Sequence, residues 1–284
     1  MSHHNLPRPQ KTLENLGLGI LSWRGYDSVR TTLKTYQDAG FLDYFGEKLL
    51  FLPEIEDEGV RVAAEFTIPY KGTPQNLGIL GGFKAMAENM TSEYLLLTEN
   101  DFKLCDSGTD NFSPIARALE SLQSGQSNVW RFRHLQNPGP QLFSDKTLQY
   151  WPTDAAPPFA KIKAGMKRIL RPEKAHRMKG MSIYTEAHPS DKFPDVIKQL
   201  PSSDYLVRSD VLNWANNLFM IKRDFFLNAI IPMAEQNIGG RLINGFPTIE
   251  TELNRSPWWR DQKFWIGVSN PGIFTHNRME NRGY

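Results

Sequence analysis

Between residues 16 and 135 short apolar runs alternate with stretches whose apolar residues recur at helical spacing, and that rhythm narrows the folds open to the chain. "LGLGILSW" (Leu16 to Trp23) is a short apolar run. Asp27 follows as a candidate N-cap, with Val29, Leu33 and Tyr36 at helical spacing before Gly40. "EKLLFLPE" (Glu47 to Glu54) is a second run, and "RVAAEFTIPY" is read as a third. "PQNLGILGGFKAMAENM" sets Leu80, Phe83, Ala87 and Met90 on one helical face, and Tyr94 to Thr98 form the fourth strand. "SPIARALESLQSG" (Ser113 to Gly125) and "NVWRFRHL" (Asn128 to Leu135) add a helix and a strand. Apolar strands alternating with amphipathic helices predict α/β architecture, a mainly parallel Rossmann-like sheet with helices on both faces.

After this the rhythm breaks. Residues 136 to 160 read as proline-rich loops, and "KIKAGMKRILRPEKAHRMKG" (Lys161 to Gly180) is strongly basic with Glu173 as its one acid. That segment is either a solvated, partly helical face or a rim that attracts phosphate or an anionic glycan. "NNLFMIKRDFF" (Asn216 to Phe226) predicts a strand entering a helix, "GFPTIETELNRSPWW" (Gly245 to Trp259) a short helix, and "NPGIFTHNR" (Asn270 to Arg278) a late strand. No internal repeat and no interdomain linker is visible, so residues 1–284 are expected to form one domain. Its halves would fall at about 15–135 and 136–284.

Composition excludes several classes. With 40% hydrophobic and 23% charged residues the chain has a globular balance. The 33 basic and 31 acidic residues leave a net charge of +2, so no general attraction to nucleic acid or anionic membrane is expected. Any such partner needs a local patch. Cys105 is the only cysteine, which rules out an internal disulfide and a cysteine zinc site. The opening "MSHHNLPRPQKTLENLG" lacks a signal-peptide core, and no run approaches the ~18 apolar residues of a membrane span. A cytoplasmic protein is expected, with the sequons at Asn89, Asn111 and Asn254 arising by chance.

Ligands of open α/β sheets gather at the carboxyl ends of the strands. Ser22, Trp23, Arg24, Glu54, Glu99 and Asp101 all fall at such ends. An acid-x-acid at a strand tip suits a hard divalent ion, Mn²⁺ or Mg²⁺, held by one or two carboxylates and shared with a pyrophosphate. Farther on, Glu250 and Glu252 are candidate general bases. On a helix they point about 200° apart, so only one of them can face a substrate. Glu250 is preferred, being nearer Pro247. Acids in a first helical turn are also favoured by the dipole alone. Trp258 and Trp259 follow, either as core residues or as aromatic platforms for an acceptor.

In order and spacing these segments resemble the GT-A glycosyltransferases, in particular family-2-like enzymes that use nucleotide sugars. "LGILSWRG" is similar to their first nucleotide-contacting strand, "GTPQNLGILGGF" to the segment before the metal strand, and "LLLTENDF" to the DxD-type motif. "NNLFMIKRDFF" is similar to the strand before the acceptor-side helix, "GFPTIETEL" to the segment where inverting members keep a base, and "GIFTHNR" to the strand with a metal-binding histidine. The resemblance spans roughly residues 15 to 280. It departs from the motif in having Glu99 and Asn100 ahead of Asp101.

The resemblance implies a metal-dependent, inverting transfer from a nucleoside diphosphate sugar, a UDP-sugar by preference, to a glycan hydroxyl. Ser22, Trp23, Arg24, Glu54, Asn76 and Asn100 would border the nucleotide, and Asp101 with His276 would hold the ion. Glu99 would contact ribose or reach the metal through water. A retaining transfer, a sugar-nucleotide pyrophosphorylase and a non-catalytic glycan-binding protein are the alternatives. Neither a nucleic-acid partner nor a membrane-spanning segment is expected, and the oligomeric state is not readable.

Overall fold

The computed structural model describes residues 13–105, 112–140, 144–236 and 238–277. The chain's opening, the sequon at Asn111 and Arg278 lie outside the described residues. Eleven strands follow in chain order: β1 Leu13–Leu21, β2 Phe45–Pro53, β3 Tyr70–Thr73, β4 Tyr94–Glu99, β5 Phe102–Leu104, β6 Val129–Arg131, β7 Ile197–Gln199, β8 Tyr205–Arg208, β9 Phe219–Lys222, β10 Trp265–Val268 and β11 Phe274–His276. Nine of them form one sheet in the order β3-β2-β1-β4-β9-β6-β10-β8-β7. Pairings β3-β2-β1-β4 and β6-β10 are parallel, while β9 and β8 run against their neighbours. The expected mainly parallel α/β sheet is therefore present, and strands from beyond residue 136 complete it.

Parallel strands buried on both faces must be apolar in both registers, and these are. Leu16, Leu18 and Ile20 of β1, Leu50 and Leu52 of β2 and Leu96 of β4 pack on one side with helices α1 Tyr26–Asp38, α2 Asp57–Glu65 and α4 Ser113–Gln123. Leu49, Phe51, Leu95 and Leu97 face the other side, against α3 Gly78–Glu88. On that side β1 offers Gly17 and Gly19. A Cβ on Gly19 would stand 2.8 Å from Leu97 Cδ2 and 3.0 Å from Met86 Sδ, so the missing side chains let α3 lie close to the sheet. Replacing Gly19 with valine is expected to destabilise the fold by about 1–3 kcal/mol through overpacking, read from the midpoint of urea unfolding.

One sequence expectation is corrected. "RVAAEFTIPY" is not a strand: it begins inside α2, and β3 starts only at Tyr70. Asp57 and Glu58 favour the helix N-terminus, and Gly59, Val62 and Ala63 form the buried stripe. The proline-rich stretch 136–160 also holds a short helical turn at Asp145–Leu148 and the start of the Pro158–Leu170 helix.

The remaining strands, β5 and β11, pair antiparallel outside the main sheet. Their register sets His276 opposite Phe102, the residue after Asp101. This small ribbon brings Phe274–His276 to the tip of β4.

Candidate active site

A cleft of about 330 Å³ opens where β1, β2 and β4 end, lined at those ends by Leu21, Pro53 and Glu99. Its walls also include Trp23, Asn76, Asn100, Asp101, Glu250 and His276. Residues from both halves of the chain thus meet in one space.

Asp101 and His276 are both buried, with Nε2 of the imidazole 3.2 Å from Oδ2 of the carboxylate. Two supports orient the ring. Phe102 stacks on it at 4.8 Å between centroids, and Nδ1 lies 3.2 Å from the Pro140 carbonyl oxygen. A carbonyl only accepts, so Nδ1 must donate, and in the neutral ring Nε2 then presents a lone pair toward Asp101. A proton or a cation must sit between two such acceptors. Adjacent ligands of an octahedral ion, each at 2.0–2.1 Å, stand about 3 Å apart. The spacing of the pair thus fits two ligands of one ion. Among the described residues no group of three His, Cys, Asp or Glu side chains could chelate a metal, so a cation here would need oxygens from substrate or water. Glu99 lines the cleft at the end of β4.

The acid-bearing loop is tied down by Asn100. Its Nδ2 donates to Ser22 Oγ at 3.1 Å and to the Arg24 carbonyl at 3.3 Å, and Thr32 Oγ1 donates to its backbone oxygen at 2.9 Å. Ser22 is itself buried and hydrogen-bonded to Arg24, which makes it a brace under the cleft rather than a wall. Trp23 lines the cleft, held by an Nε1–H bond to Glu54 at 2.7 Å, and Arg24 lies 3.5 Å from the same carboxylate. Neither Arg24 nor Glu54 lines the cleft. Asn76 does, and its Oδ1 accepts from Gly78 N at the head of α3.

Glu250 enters from the other side. Thr248 caps the Ile249–Arg255 helix by accepting from Thr251 N, Ile249, Glu252 and Leu253 form its buried stripe, and Glu250, at the flank of that stripe, lines the cleft. Its carboxylate is accessible, but only from a concave space crowded by protein. That crowding raises its pKa above the ordinary 4.5, opposed by Arg131, the Asn216 N–H and Arg133. The accessibility is to the cleft and the crowding is by its walls, so the two observations agree.

Three candidates are corrected. Glu252 is fully buried, accepting from Gly240 N at 3.1 Å and paired with Arg255 at 3.1 Å, so it faces away from the cleft. Trp259 is also fully buried, donating to the Leu212 carbonyl. Trp258 packs on Phe264 and lines no part of the cleft. Adjacent positions on a short helix cannot all face one side, and the apolar core claimed the tryptophans.

Several wall residues went unread. Asn216, Asn217, Phe246 and Thr248 line the cleft, and no spacing rule marks them. Arg131 and Arg133 line a neighbouring pocket rather than the cleft; their spacing of two within the predicted strand Asn128–Leu135 signals a shared face, although β6 itself ends at Arg131. Arg133 donates to the carbonyls of Pro138, Gly139 and Pro140, the segment that orients His276.

No family model matches the chain, and no curated protein matches it. Solved structures do. Residues covering 92% of this chain match 60% of S. aureus TarS 1-349 at 9% identity and a TM-score of 0.46. The mannosyltransferase PcManGT from Pyrobaculum calidifontis, solved with GDP-Man and Mn²⁺, matches over 98% of this chain and 60% of its own length, at 9% identity and a TM-score of 0.49. Glucosyl-3-phosphoglycerate synthase from Mycobacterium tuberculosis, solved with Mn²⁺, UDP and glucosyl-3-phosphoglycerate, matches over 93% and 72% at 9% identity and a TM-score of 0.46. The chain thus spans about three-fifths of the first two. With TM-scores below one-half, these likenesses assign no chemistry to the cleft, which must be read from its own residues.

Proposed function

We propose that the protein is an inverting glycosyltransferase that moves a sugar from a nucleoside diphosphate donor to a hydroxyl of an acceptor. The observation that carries this is the meeting of the Asp101–His276 pair and the carboxylate of Glu250 in a single strand-end cleft. A divalent ion held by Asp101 and His276 would offset the charge that grows on the leaving diphosphate. The imidazole nitrogen favours Mn²⁺ over Mg²⁺, which prefers oxygen ligands.

The chain's own residues do the rest. Trp23 and Asn76 form walls for the nucleotide, and Asn100 with Ser22 fixes the loop that aims Asp101. Glu250 accepts the proton of the acceptor hydroxyl as its oxygen bonds to the anomeric carbon. The anomeric carbon–oxygen bond to the diphosphate breaks in the same step, and its electron pair stays with the diphosphate. Inversion follows from attack opposite the leaving group.

A panel of nucleotide sugars with Mn²⁺, scored for nucleoside diphosphate release, tests this. A UDP-sugar is expected to turn over, with the activity lost on chelation by EDTA and restored by Mn²⁺. Failure of every donor would overturn the proposal, and retention of anomeric configuration in the product, read by NMR, would remove the base role from Glu250.

A further inference from the structure

A second pocket, of about 270 Å³, meets the cleft at Glu250 and Asn217. Its lining includes Arg131, Arg133, Lys146 and Arg177 against the single carboxylate of Glu250, with Tyr184 beside them. Among the described residues no carboxylate lies within salt-bridge distance of Arg131, Arg133 or Arg177. Arg131 reaches the Asn213 carbonyl through Nη2, while its Nε is buried with no hydrogen-bond partner. An unsatisfied buried guanidinium donor is costly, and this one borders a space large enough for a ligand. Burial lowers the pKa of both guanidiniums, though arginine keeps its charge, and raises that of Tyr184, which therefore remains a hydroxyl donor.

We propose that this pocket binds an oxyanion on the acceptor, a phosphate or a carboxylate, so that the acceptor is an acidic sugar or polyol whose hydroxyl is presented to Glu250. The assignment rests on the glycosyltransferase reading for the word acceptor, but not for the anion site itself. Arginine forks match both oxyanions in bidentate geometry. A neutral glycan would leave Arg131, Arg133 and Arg177 with no ion-pair partner and only Glu250 nearby to offset them.

The test has two arms. Calorimetry on the full chain without donor, using inorganic phosphate, a sugar phosphate, a uronic acid and a neutral methyl glycoside, should show binding of an anionic probe and none of the neutral one. Arg131→Met and Arg177→Met should weaken that binding by about tenfold or more, the latter standing at the pocket rim in case the buried change unfolds the chain. Preference between phosphate and carboxylate probes names the oxyanion. With an active donor, the acceptor KM should rise in these variants far more than the donor KM. Absence of anion binding by the wild type, or transfer to neutral acceptors as efficient as to acidic ones, would overturn the proposal while leaving donor hydrolysis intact. A rise in donor KM alone would also overturn it, assigning the arginines to the diphosphate. Failure of donor hydrolysis would instead strike the glycosyltransferase reading, with calorimetry still deciding the pocket.

A separate observation concerns the Pro158–Leu170 helix. Phe159, Ile162, Met166, Ile169 and Leu170 are 76, 64, 59, 81 and 75% exposed. At ~100° per residue they fall within an arc of about 100° on one face. The opposite side holds the helix to the protein: Ala164 is buried, and Lys161 and Arg168 donate to the carbonyls of Asp154 and Tyr150. Lys163 borders the apolar face and Arg171 follows at the helix end, both exposed, whereas Lys167 is turned to the protein, donating to Gln149 Oε1 at 2.9 Å; no acid occurs between Lys161 and Pro172. Among the described residues no helix is long and apolar enough to cross a membrane.

We infer that this helix lies in the surface of an anionic membrane, its apolar face among the lipid chains and Lys163 and Arg171 among the headgroups. A second copy fits less well, because two such faces in twofold contact would bring their cationic rims together. Flotation of the full chain with vesicles of phosphatidylcholine and phosphatidylglycerol should show binding that weakens with salt and with phosphatidylcholine alone. Ile162→Glu with Ile169→Glu should lower it by about tenfold or more. Lys163→Gln with Arg171→Gln, a milder change, should reduce it and its salt dependence, with far-UV circular dichroism unchanged in both. No vesicle binding by the wild type, or equal binding by the glutamate variant, would overturn the inference. So would a dimer, seen by light scattering, that the glutamate variant turns into a monomer.

Discussion

Glu250→Gln is expected to lower turnover by about 10²–10⁴-fold with little change in donor affinity, the effect of removing a general base while keeping its shape. Steady-state kinetics with the active donor would measure it, and a loss below tenfold would remove Glu250 from the proton transfer. Its pH profile gives a second check. Crowding holds the Glu250 pKa above 4.5, and a base works only when deprotonated, so wild-type kcat/KM should fall as pH drops through that raised value. The variant should lose this acid limb. Stability moves the other way: a carboxylate whose pKa is raised on folding binds its proton more tightly in the native state. The stabilisation tied to that proton is present below the unfolded value and is lost as pH rises through the folded one. Glutamine keeps the neutral form, so the variant should melt at or above the wild-type temperature at pH 7.

Asp101→Ala is the second large change. On the proposed reading Asp101 is one of two protein ligands, so its loss should weaken Mn²⁺ dependence and donor turnover by at least about 100-fold, since each ligand would carry a large share of the affinity at so sparse a site. A Mn²⁺ titration of donor hydrolysis would show the activation midpoint moving far to the right. An unchanged midpoint would sink the cation site. His276→Ala should move it in the same direction, and pairing that with a Phe102→Leu variant asks whether the stacked ring matters beyond the ligand itself.

Strand ends were the legible part of this chain. Period and burial coincide in β1, β2 and β4, because parallel strands covered on both faces can hardly be anything but apolar, and so Trp23, Glu99 and Asp101 could be placed at their tips. "RVAAEFTIPY" misled because alanine and valine suit either state. What decided it was the acidic first turn just upstream, at Asp57 and Glu58. Within "IETELNRSPWW" the period showed that Glu250 and Glu252 diverge, but which of them faces the cleft depends on how the helix seats Ile249 and Leu253. The basic segment after residue 160 read as a charged face, and only the structure shows that its apolar residues gather on the side turned to solvent. Walls built by loops, Asn216, Asn217 and Phe246 among them, follow from tertiary placement that no local pattern encodes.

The ribbon of β5 and β11 ties the order of assembly to competence. His276 reaches Asp101 only after the last strand has laid itself beside the loop that follows β4. On the reading proposed above, a chain whose large sheet formed without this strip would lack His276 beside Asp101, and with it half of the proposed cation clamp. Under that reading, donor capture would wait on the docking of this strip.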